Sequence, residues 1–162
     1  MSGWPNVSLK RHALLLGACI LVSFVPGAFG SAFPPGAWYD ALAKSALTPP
    51  GWVFPVAWTL LYITIGVSLY LFLVRAPARD RRVAIAVFAV QLVLNGLWSW
   101  LFFGQHAVGA ALVEIVALWL AIVATMLAFA RHSPASAKLL VPYLAWVSFA
   151  TYLNLAIWTM NG

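Results

Sequence analysis

Glu114 is the single acidic residue inside a long apolar stretch, GAALVEIVALW. A carboxylate in hydrocarbon costs a few kcal/mol unless it faces a protein interior, pairs or takes up a proton. The stretch holds no cation, so Glu114 marks either a ligand-facing group or a hydrogen bond to a neighbouring helix. Three other patterns place polar or aromatic groups at helical spacing. Gln91, Asn95 and Ser99 recur at i, i+4 and i+8 with Trp98 beside them; Trp58, Tyr62 and Gly66 repeat that interval, as do Trp146, Ala150 and Asn154. Rings supply stacking surface, amides supply hydrogen bonds, and Gly66 and Ala150 leave gaps. The plainer reading of such stripes is helix packing, where a buried amide contributes about 0.6 to 2 kcal/mol, and for Gln91 it is the better one.

Other chemistries lack their parts. His12, His106 and His132 lie at the ends of apolar runs, and no His-x-x-x-His or Glu-x-x-His pair occurs, so no metal site is expected. His106 could reach a haem iron, but an interfacial, solvated histidine is the simpler reading. No phosphate-binding glycine loop is present, and no serine or cysteine lies beside a plausible base. Cys19 is the sole cysteine, which excludes a disulfide framework within the chain.

Positioning these residues requires a membrane. Of 162 residues 64% are hydrophobic and 7% charged, with a mean hydropathy of +0.96, more apolar surface than a water-soluble domain can hide. Spanning the bilayer takes about 20 apolar residues. Five runs qualify, at about 13–30, 53–75, 83–104, 107–130 and 138–159, and predict an all-α integral membrane bundle of five helices forming one domain over 1–162. Lys10-Arg11 before the first run also suits a cleaved signal peptide, the lesser reading. The net charge of +6 forms no basic stripe for nucleic acid. Lys10, Arg11, Arg75, Arg79, Arg81, Arg82, Arg131 and Lys138 fall on one side of the bundle and only Lys44 on the other, which predicts a cytoplasmic N-terminus. A bacterial inner membrane suits that asymmetry, with a bacterial or mitochondrial outer membrane as alternatives.

The first connector then lies outside. It carries Trp38, Tyr39 and Trp52 between the pairs Pro34-Pro35 and Pro49-Pro50, and reads as a long, stiff, aromatic lid. At 1.5 Å per residue Trp58, Tyr62, Asn95, Trp98, Glu114, Ala150 and Asn154 all fall within about 5 to 20 Å of the lid side, with Trp146 lower, near the floor. Together they predict an aromatic cavity with few polar groups, suited to a flat small molecule. A ladder of Ala117, Ala121 and Thr125 offers close contact to a second copy.

Three ordered motifs, WYDALAKSALTPPGWVFPVAW from Trp38, LNGLWSWLFFG from Leu94 and VPYLAWVSFATYLN from Val141, closely resemble the tryptophan-rich sensory protein and translocator protein family, also called the peripheral-type benzodiazepine receptor family. The resemblance implies a five-helix membrane fold, usually dimeric, that binds protoporphyrin IX, haem, sterols and isoquinoline carboxamides under its first loop and requires no cofactor. By position it carries ligand binding onto Tyr39, Trp58, Tyr62, Asn95, Trp98, Glu114, Trp146, Ala150 and Asn154; Trp38 joins them from the lid. It implies membrane reception of porphyrins in tetrapyrrole handling or stress sensing. Light-dependent porphyrin breakdown, with Trp58 and Trp146 as the catalytic residues, and porphyrin or sterol transport are the alternatives. Three positions depart from the pattern: no basic residue follows Tyr152 in the sterol motif, Glu114 stands where aspartate is commoner, and Ala110 lacks a ring found in animal members.

Overall fold

The computed structural model describes residues 9–162; residues 1–8 of the domain read from the sequence lie outside the described part. Helix α1 spans Leu9–Gly30, α2 Ala37–Ala41, α3 Val53–Arg75, α4 Ala78–Ser99, α5 Val108–Ala130, α6 Pro134–Leu139 and α7 Val141–Asn161. A π-helical turn, Trp100–Gly104, prolongs α4. With α4 taken through that turn and α6 with α7, five helical segments are long and apolar enough to cross a membrane. The protein is an integral, multi-pass membrane protein.

Three spans begin earlier than their apolar runs: α1 is already helical at Leu9, and α4 and the last span gain a turn or more. Pro77, at φ −65°, closes the turn after α3 and starts α4 at Ala78, so the charged ARDRR segment is helical although hydropathy passes over it. The last span begins at Pro134 because Ser133 caps it: the Ser133 hydroxyl accepts from the Ser136 amide at 3.2 Å, with proline at a position that needs no donor. The lid also differs from expectation, since it contains a helix, α2, of one and a half turns.

Helix α1 packs on α3 and α4, α4 on α5, and α5 on α7. The α1–α3 contact is tight at Gly66, where a Cβ would lie 2.5 Å from the Ile20 Cα. The half of the bundle near the basic residues is packed with rings and closed by short hydrogen bonds. There Phe72 stacks on Phe129 with centroids 4.2 Å apart, and Phe88 lies 5.9 Å from Phe129. Ser68 and Ser136 exchange hydrogen bonds with each other's backbone carbonyls between α3 and α6, and Arg75 Nη1 donates to Ser133 Oγ at 2.9 Å. Thr125 is fully buried with its hydroxyl on the Ala121 carbonyl, so the Ala117, Ala121 and Thr125 ladder is not one outward face. The exposed side of α5 is Val113, Val116, Leu120 and Leu127, as the hydrocarbon requires.

Gly66→Ala is expected to lower the thermal midpoint of the detergent-solubilised protein, because overpacking against backbone costs about 1 to 3 kcal/mol. Gly17→Ala, where a Cβ meets nothing within 4 Å, is the control and is expected to leave the midpoint unchanged or slightly raised.

Candidate functional site

The opposite half of the bundle is hollow. A cavity of about 740 Å³ lies beneath the first connector, enclosed by the last turns of α1, the first half of α3, the end of α4 with its π turn, and the end of α7. That volume is in the range of small-molecule sites. Six rings stand in its walls: Phe54, Trp58 and Tyr62 from α3, Trp98 from α4, and Phe102 and Phe103 from the π turn. Trp58 lies against Tyr62 at 5.3 Å and 25°, and Trp98 against Phe102 at 4.9 Å and 23°. Ala150, Leu153 and Ile157 complete the α7 side.

Two asparagines hold the walls apart. The Tyr62 hydroxyl donates to Asn95 Oδ1 at 2.9 Å, and Asn95 Nδ2 donates to the Tyr143 hydroxyl at 3.0 Å, joining α3, α4 and α7. Trp98 Nε1 donates to Asn154 Oδ1 at 3.0 Å, and Asn154 Nδ2 donates to the Val108 carbonyl at 2.9 Å, joining α4, α7 and α5. Both amides are buried. With water excluded, such polar groups must find partners inside the protein, and each asparagine fixes one ring that faces the cavity, Tyr62 by Asn95 and Trp98 by Asn154.

The roof is fastened at three places. Trp38 of α2 stacks on His106 with centroids 3.9 Å apart and planes 9° from parallel. His106 sits at φ 55°, a left-handed conformation that turns the chain between the π turn and α5. Asn161 pairs in two directions with Ala43, accepting from its amide at 2.8 Å and donating to its carbonyl at 2.9 Å. Ser45 and Tyr152 share a hydroxyl hydrogen bond of 2.9 Å. Tyr39 packs on Phe103 at 5.4 Å, and Lys44 Nζ lies 4.6 Å from the Tyr39 ring centre while donating to the carbonyls of Asp40 and Leu42. Burial pushes the Tyr39 phenol above its ordinary range, with the Asp40 carboxylate adding to the shift, so it stays a neutral donor at the cavity rim. Lys44 and Asp40 bring the charged groups to that rim.

Of the residues singled out from the sequence, Tyr39, Trp58, Tyr62, Asn95, Trp98, Ala150 and Asn154 line this one cavity. Trp38, Glu114 and Trp146 do not. Trp38 is spent on His106 and Phe102 and acts as a strut of the roof. Trp52 of the same connector is 69% exposed, its ring turned outward. Glu114 belongs to α5, which supplies no wall to the cavity; it is buried, and among the described residues neither of its oxygens meets a partner, as is true of both polar atoms of Gln91. Trp146 lies 5.9 Å from Phe54, level with the first turn of α3 and not near a floor, because α7 runs on past the start of α3 to reach the roof at Asn161. Phe54, Phe102, Phe103, Leu153 and Ile157 were not foreseen. Leu153 and Ile157 follow Ala150 at i+3 and i+7 and were legible as the same face; Phe102 and Phe103 are aimed inward by the π turn, which shifts the helical register without a sequence signal.

Residues 15–159 match the model of the TspO/MBR family. The chain belongs to that family. It is 46% identical over 160 residues to the tryptophan-rich protein TspO of Chlorobaculum tepidum, covering 96% of this chain and 99% of that protein. The tryptophan-rich protein TspO of Archaeoglobus fulgidus is 45% identical over 95% of this chain and 98% of its own length. The human translocator protein is 37% identical over 126 residues, 76% of this chain and 75% of its own. The TspO/MBR match covers the roof and the three middle spans in full, the first span from residue 15 and the last to residue 159.

Asn161→Ala removes both bonds to Ala43, each contributing about 0.5 to 1.5 kcal/mol. Hydrogen exchange followed by mass spectrometry is expected to speed up by roughly tenfold in the segment around Ala43 and to stay unchanged around Phe72 and Phe129.

Proposed function

We propose that the protein is a membrane receptor and binding protein for porphyrins, protoporphyrin IX and haem foremost, and for related flat hydrophobic molecules, in tetrapyrrole handling or stress sensing. The observation that carries this reading is the roofed cavity with six rings in its walls and its charged groups confined to the rim. A flat macrocycle matches such walls, since a stacked aromatic contact contributes about 0.5 to 1.5 kcal/mol beyond burial of its area. Lys44 at the rim is suited to the acidic edge of a porphyrin, and Tyr39 and Ser99 offer hydroxyls nearby. The names of the relatives, sensory and translocator, agree with a ligand-responsive membrane protein. In this reading the basic end of the bundle faces the cytoplasm and the cavity faces outward.

Protoporphyrin IX is expected to quench the tryptophan fluorescence of the purified protein saturably. Trp58→Leu is expected to weaken the affinity by roughly 2- to 12-fold, the range of one stacked ring. Trp119→Phe, whose indole donates to Ser148 away from the cavity, is the control and should bind as the unaltered chain does. Equal affinity in Trp58→Leu and the unaltered protein would remove the cavity assignment.

A further inference from the structure

A second, smaller void lies behind the wall of the large one. Its volume is about 30 Å³, and Phe54, Trp58, Asn95, Trp98 and Ala150 border both spaces. Its far side is apolar and is formed by residues that the large cavity does not reach, Leu118 and Ile115 of α5 with Trp146 and Val147 of α7. This is where Trp146 faces.

The chemistry of the lining decides what fits. A buried water needs two to four polar partners. Asn95 gives its carbonyl to Tyr62 and one amide hydrogen to Tyr143, and the Trp98 N–H is given to Asn154. Apart from the indole N–H groups of Trp58 and Trp146, what remains is hydrocarbon and ring faces, which favour an apolar occupant. The size is equally restrictive: at about 10 to 15 Å³ for each water-sized centre, the void takes roughly two such groups and no ring.

We propose that this void is a selectivity subsite that receives a short apolar arm from the rim of the bound ring, a vinyl or ethyl group. The inference rests on the porphyrin reading and refines it. A ligand seated this way has one orientation: its small apolar arm enters between Trp58 and Trp146 toward Leu118, and its carboxylate edge is left at the mouth beside Lys44. Binding is then selective for the substituents of the ring and not only for its flatness. Each CH₂-sized group buried there is worth about three- to fourfold in affinity, so a two-carbon arm is worth about ten- to fifteenfold.

Four porphyrins test this, because they share the same ring and the same two propionates and differ only in one pair of substituents. Protoporphyrin carries vinyl, mesoporphyrin ethyl, deuteroporphyrin hydrogen and haematoporphyrin hydroxyethyl. Fluorescence titration of the full-length protein is expected to rank protoporphyrin and mesoporphyrin about tenfold tighter than deuteroporphyrin. Haematoporphyrin, whose hydroxyl must leave water for a lining made mostly of hydrocarbon and ring faces, is expected to bind no better than deuteroporphyrin. Leu118→Phe fills the void and is expected to bring protoporphyrin to within about twofold of deuteroporphyrin; Val147→Ile does so with a smaller change if the first variant fails to fold. Equal affinities for all four in the unaltered protein would overturn the subsite and leave the porphyrin reading standing. A tenfold preference that survives in both filled variants would also overturn it, since the preference would then reflect general hydrophobicity. Absence of binding by any of the four would remove the porphyrin reading and the subsite with it.

Discussion

The structure depends on the exclusion of water from the bilayer, which leaves each buried amide and hydroxyl no partner except another part of the protein. Asn95 shows the consequence. It accepts from Tyr62 and donates to Tyr143, and so ties three helices at one level. Asn154 does the same for Trp98 and the backbone at Val108. Amides that meet rigid rings and backbone at fixed distances act as spacers as well as glue. They hold the indoles and phenols of separate helices around a space instead of letting them collapse into it.

The two halves of the bundle differ for the same reason. Near the basic end phenylalanines and isoleucines interlock and a serine pair closes the α3–α6 contact. Toward the roof, Gly27 and Gly30 let α1 approach Tyr62 and Ser99 closely, while Ala150 leaves α7 short of the opposite wall. The roof itself is fastened from both sides, by Trp38 on His106 and by Asn161 on Ala43. A ligand of the proposed kind would therefore meet a preformed chamber, which lowers the ordering cost of binding.

Much of this was legible in the sequence because hydrocarbon imposes simple rules. The five spans follow from run length, and Val53–Arg75 agrees with its apolar run to the residue. Asn95, Trp98, Tyr62 and Asn154 stood out because polar and bulky aromatic groups at helical spacing have few places to go. What could not be read were effects of register and depth. The π turn at Trp100–Gly104 brings Phe102 and Phe103 inward, and the overrun of α7 lifts Trp146 to the level of Phe54. Glu114 was expected in the cavity because it is an intramembrane acid, but its helix lies behind the wall. Helix spacing gives the face of a residue and not which of two adjoining spaces that face meets.

The claim that the roofed space is where a ligand sits is tested most directly by chemical protection. Ser99 lines the cavity, and the native thiol Cys19 is buried elsewhere in α1. In Ser99→Cys, the rate of alkylation by a small maleimide is expected to fall at least tenfold when protoporphyrin IX saturates the protein. An unchanged rate at saturating porphyrin would mean that the molecule binds elsewhere and would contradict the account.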